Sequence, residues 1–191
     1  MTMKLTLWLA TIVTTMIISG TSFAEDFDQA ISQRVKAASK INTPVAVMRQ
    51  LASDDEVAVR VAAASNRGAE NETLQLLALD SDSDVRMALA LNINAPEAAK
   101  LILARDEDEN VKLRLAKCGY MYHSVLKILA TDPSEQVRRL VAKNHNATDE
   151  ILAMLIDDLD LKVRENVKKH PAYSAEILKL VAITTQYQMK N

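Results

Sequence analysis

The chain has 191 residues, with 23 Lys and Arg set against 25 Asp and Glu, and a single cysteine. That near balance gives no electrostatic drive toward nucleic acid, whose binders usually carry a clear basic excess. One cysteine excludes an internal disulfide, and three glycines are too few for a phosphate-cradling loop.

The first expected element is a leader. Lys4 precedes an uncharged apolar run from Leu5 to Ile18, and Ser22-Phe23-Ala24 puts small residues at the two positions a signal peptidase reads. A run of about 14 residues is short of the roughly 20 that cross a bilayer. Residues 1–24 therefore read as a cleavable signal peptide, cut after Ala24, that sends the protein to the periplasm or outside the cell. An uncleaved anchor is the competing reading. Without Lys4 the remaining chain holds 22 bases and 25 acids, about −3 in net charge.

Residues 25–42 look like half of a repeating unit, because Arg34 stands 26 residues before Arg60 and Ala38 stands 26 before Ala64. They are expected to cap the front of a stack. Over 43–173 one pattern then returns five times at a spacing of 26 residues. Leu51, Leu77, Leu103, Leu129 and Leu155 share one position, and Asp54, Asp80, Asp106, Asp132 and Asp158 another. Val59, Val85, Val111, Val137 and Val163 are each followed by a base: Arg60, Arg86, Lys112, Arg138 and Arg164. Each unit closes near Asn66, Asn92, Cys118, Asn144 or His170.

A fixed period of this size marks units that stack, each touching its neighbours. Inside a unit the apolar spacing is helical: Leu74, Leu77 and Ala78 form one stripe, and Val85, Leu89 and Ala90 a second. Acidic turns such as Asp80-Ser-Asp-Ser-Asp84 are expected to cap the second helices, where short oxygens and negative charge suit free backbone N–H groups. The closing Asn is expected to tolerate the left-handed conformation that ends helices, its amide satisfying nearby backbone groups. Each Arg is expected to bridge the carboxylates of its own and the adjacent unit, most weakly at Lys112, which lacks the planar fork. Residues 174–191 then form a C-terminal cap and tail. The expected fold is an all-α solenoid of about five 26-residue two-helix repeats with terminal caps, a curved rod about 50 Å long.

The consensus Leu-Ala-x-Asp followed by Val-Arg-x-x-Val-Ala-x-Asn, best seen over 129–144, resembles the leucine-rich repeat variant family and, more broadly, HEAT-like repeats. The resemblance covers about 34–182. It implies a right-handed superhelix of paired helices, the second sometimes tight and 3₁₀-like, and it implies binding or scaffolding with no particular chemistry. One protein type in that family carries a cysteine-rich iron–sulfur segment, which a chain with Cys118 alone does not match.

Candidate chemistry is thin. Asp80-x-Asp82-x-Asp84 and Asp106-x-Asp108-x-Asn110 open like calcium loops but lack the glycine at the sixth position and the glutamate at the twelfth, so helix capping is the expectation. His123, His145 and His170 fall at different phases of the repeat and are expected to be solvated junction residues. Cys118 is expected to be structural and partly buried, a reactive or interchain thiol being the alternative. No catalytic residue, cofactor or metal is assigned, and the chain is not expected to be an enzyme.

The asymmetry that points to function lies on the outward face of the second helices. It reads Ala58, Val61, Ala62, Met87, Ala88 and Leu91 at the front, then Arg114, Lys117, Arg139, Lys143, Lys162, Lys168 and Lys169 behind. If second helices line the concave side, this groove is apolar at one end and cationic at the other, a surface for another protein or peptide. Self-association through Ala58, Val61, Met87 and Leu91 is one alternative. Binding of an anionic envelope polymer or lipid surface to the basic half is another, and a HEAT-like lyase or cofactor-handling protein a third. Nucleic acid and a stable membrane span after signal cleavage are not expected.

Overall fold

A computed structural model describes residues 23–173 and Lys179. The rest of the expected leader and of the expected C-terminal cap lies outside the described residues. Among these residues there are eleven helices and no strand. Helix α1 spans Phe23–Ser39 and so runs across the expected cut after Ala24. Short first helices follow as α2 (Val45–Leu51), α4 (Asn71–Leu77), α6 (Glu97–Leu103), α8 (His123–Leu129) and α10 (Asp149–Leu155). They alternate with second helices α3 (Val57–Ser65), α5 (Ser83–Leu91), α7 (Glu109–Lys117), α9 (Glu135–Val141) and α11 (Leu161–Lys169).

Helices pack in chain order. Helix α1 lies on α3, and each second helix lies on the next along the row α3, α5, α7, α9, α11. First helices touch their own second helix and meet one another more sparsely. The sequence explains the difference. The second-helix row carries buried Ala64, Ala90, Ala116 and Ala142 one period apart, and small side chains let helix axes come close. The core between the rows is continuous. Val59, Val85, Val111, Val137 and Val163 are fully buried, as are Leu103, Leu129 and Leu155. Each such leucine stabilises by about 1.5–3 kcal/mol through burial. Its truncation to alanine costs about 2–5 kcal/mol because the stack only partly collapses around the gap.

Two sets of polar contacts lock neighbouring helix pairs together, and a third orders the turn inside each pair. The first is the acid–base column. Arg60 grips Asp80 with Nε–Oδ2 at 2.8 Å and Nη2–Oδ1 at 3.1 Å, and its Nη1 donates to the Asp54 carbonyl at 2.8 Å. Arg86 repeats this on Asp106, and Arg138 on Asp158. The fork therefore binds the acid of the following unit only; in its own unit it meets backbone oxygens, not the expected carboxylate. Lys112 reaches Asp132 through one Nζ contact at 2.8 Å, the weak rung the sequence predicts.

The second set runs backwards. Asn66 Nδ2 donates to the carbonyls of Ala38 and Lys40, at 2.6 and 2.8 Å, and its Oδ1 accepts from the Gly68 N–H. Asn92 and Asn144 do the same one and three units on. These residues are not left-handed: Asn66 has φ −73° and ψ 119°, an extended conformation. Asparagine is needed here because it supplies two donors and an acceptor in one short side chain. His170 takes the same place in the last unit, where Nε2 lies 3.0 Å from the Asn144 carbonyl. It is buried, not solvated as the sequence suggested; His123 and His145 are exposed.

The third set is in the acidic turns. Asp80 Oδ1 accepts from the Asp82 N–H, and Asp82 Oδ1 from the Asp84 N–H. Two successive side-chain turns thus lead into α5, and of the carboxylates that resembled a calcium loop Asp80 is engaged by backbone and Arg60 and Asp82 by backbone. Gly68 is required by close approach rather than by a special backbone angle, since an added Cβ would stand 2.3 Å from the Ile41 carbonyl oxygen.

Candidate functional site

The outward face of the second helices is built by positions i, i+3, i+4 and i+7 of each, which fall on one side of a helix. Its rows read Ala58-Val61-Ala62-Ser65, Asp84-Met87-Ala88-Leu91, Asn110-Leu113-Arg114-Lys117, Gln136-Arg139-Leu140-Lys143 and Lys162-Glu165-Asn166-Lys169. At the front, Ala58 and Leu91 are exposed, while Val61 and Met87 are half-buried and packed on the core. Part of the apolar half therefore serves packing between units.

In the basic half the structure brings some of the sequence-picked residues together and sets one apart. Lys117, Arg139 and Lys143 line an open groove of about 300 Å³ with Leu113, Gln136 and Leu140. Arg139 is tied internally. Its Nε and Nη2 hold both Asp160 oxygens at 2.8 and 2.6 Å, and Nη2 also meets Glu135 at 3.1 Å. Those hydrogen bonds hold the Asp160 carboxyl well below the usual carboxylate range. By contrast, Arg114, Lys117, Lys143, Lys162, Lys168 and Lys169 are exposed and make no ion pair among the described residues. Lys117 and Lys169 sit in the last turns of α7 and α11, and Lys143 just past α9, where positive charge also suits the helix dipole.

A second site was missed by sequence reasoning. Lys100 on α6 occupies the column held elsewhere by Met48, Leu74, Leu126 and Leu152, and it is 1% exposed. Its amine lies 5.9 Å from the centroid of the Tyr122 ring and has no hydrogen-bond acceptor or counter-charge among the described residues. Burial pushes the lysine pKa down, against a smaller opposing pull from Cys118. Cys118 itself is buried and donates weakly to the Tyr120 carbonyl at 3.5 Å, so no thiol is presented for a link between chains. It stands in the asparagine column without an amide, leaving the Ala90 carbonyl without the side-chain donor that column supplies in other units. A cavity of about 250 Å³ opens here, lined by Ile93, Lys100, Tyr120, Met121, Tyr122 and Asn146. The signal was legible: aligning units at 26 residues shows a lysine among leucines.

Among the described residues no group of three or more His, Cys, Asp or Glu is placed to hold a metal, and no helix is long and apolar enough to cross a membrane. No family model matches the chain, and no match was found among proteins of curated function or among solved structures.

Proposed function

We propose that this chain is an exported, non-enzymatic helical-repeat scaffold that binds another protein or peptide along its second-helix face. In this reading it is a right-handed solenoid of about five 26-residue repeats with terminal caps, of the leucine-rich repeat variant or HEAT-like kind, and its leader is removed after Ala24. The closer packing of second helices supports reading them as the inner side of the curve. The observation that carries the reading is the division of the bases. Arg60, Arg86, Lys112 and Arg138, in the column between units, each hold an aspartate, whereas the exposed row Arg114, Lys117, Lys143, Lys162 and Lys169 holds none among the described residues. An acidic segment lying along this groove would pair that row and cover Leu113 and Leu140.

The test is the double variant Lys117→Glu with Lys143→Glu, compared with wild type by in-cell crosslinking and mass spectrometry. The crosslinked product should fall several-fold while the melting temperature drops by no more than a few degrees, since each lysine supports the fold only through its place at a helix C-terminus. Undiminished crosslinking would remove the groove from consideration. Arg139 is left intact because reversing it would set three acids together at Asp160 and Glu135. The same row suits an anionic polymer or lipid surface. Binding to anionic vesicles that collapses between low and high salt would favour that reading.

A further inference from the structure

We propose that the notch at the third junction binds a small organic carboxylate, its acid group seated on the Lys100 amine and its apolar or aromatic body against Tyr120 and Tyr122. The first argument is where the repeat breaks its own rules. Other junctions run Asn92-Ile-Asn-Ala-Pro96 and Asn144-His-Asn-Ala-Thr148, whereas this one runs Cys118-Gly-Tyr-Met-Tyr122. The leucine column fails in the same place, at Lys100. Departures that are scattered in sequence, at 100 and at 118–122, meet around one cavity. Concentrated violations of local rules are expected at functional sites, where stability is given up for binding.

The second argument is charge. Arg60, Arg86, Lys112 and Arg138, the column bases that are followed by a described unit, each hold an aspartate. Lys100 is more deeply buried than any of them and holds none. The Lys100 stem is buried where leucine would fit the column better, and its amine meets solvent only through the notch, with no acid beside it among the described residues. A ligand carboxylate completes the pair in the way the chain completes all the others. One amine, with Asn146 at the rim, matches a single negative charge better than the two of a phosphate ester. The size also fits, since about 250 Å³ holds a molecule of a few to a dozen heavy atoms rather than a folded partner.

The experiment is calorimetric titration and thermal melting of the full chain with benzoate and phenylacetate, with benzamide as the uncharged control. At least one acid should bind one to one and raise the melting temperature, and benzamide should bind about tenfold more weakly or not at all. Lys100→Met, the residue of Met48, should lose that binding at least tenfold and melt a few degrees higher without ligand. Lys100→Leu gives the same readout should the methionine variant fail to fold. No binding of either acid into the tens of millimolar, equal binding by the Lys100 variants, or equal binding of benzamide would each overturn the proposal. So would selective labelling of Lys100 by benzaldehyde and borohydride at neutral pH, which would mark the amine as an uncharged nucleophile.

Discussion

A guanidinium has two usable edges, and Arg60, Arg86 and Arg138 use both: one clamps the next unit's aspartate, the other closes on two carbonyls of their own turn. Lysine in the same column makes one contact. Lys112→Arg is therefore expected to add about 1 kcal/mol, read as a higher urea midpoint with an unchanged slope. Thr73 offers a second check. It is buried, its hydroxyl has no partner, and the equivalent positions hold Val47 and Val125. Thr73→Val should stabilise by about 1 kcal/mol, because it removes an unsatisfied polar group and keeps the shape. The alignment of acids and bases was legible in the sequence. The direction of each fork was not, since spacing gives the columns but not which of two stacked neighbours a side chain reaches.

At the scale of elements, the acidic turns divide helix capping and the pairing with a basic side chain between different residues. In the turns that open at Asp80, Asp106 and Asp158 the first aspartate receives the preceding unit's fork and accepts an N–H two residues on, and the residue after next caps the helix. Burial alone would raise the carboxyl of Asp158, but the Arg138 and backbone hydrogen bonds outweigh it and the pKa lies below its ordinary value; Asp80 behaves alike. A depressed carboxylate stabilises the fold above the unfolded-chain pKa of about 4 and loses that contribution as pH falls through the folded value. Asp158→Asn should cost about 2 kcal/mol at neutral pH. The gap from wild type should narrow as pH drops below about 4, measured by urea unfolding at each pH. The closing asparagines teach a different lesson. Their recurrence was plain, but the left-handed rationale was wrong, because a side chain that ties two units together has no signature within one unit.

At the scale of the molecule, the period announced an all-helical stack, and the helices are indeed ordered as the chain is. Periodicity sees what recurs, so it found the columns and the gradient along the second helices. Lys100, which breaks the leucine column, is by the same token invisible to a search for recurrence. The basic face was also only partly readable. Arg139 and Lys143 look alike in sequence, yet one is held by Asp160 and the other is free, a distinction set by the neighbouring unit.

The forks span 20 residues forward and the asparagines 26 to 28 back. Nothing in these locks waits for a distant part of the polypeptide, and short-range topology makes for fast assembly. A chain emerging end first from the ribosome settles one module at a time, each newcomer needing only the one before it. Synthesis and folding then proceed together, with no need to hold the whole sequence open at once.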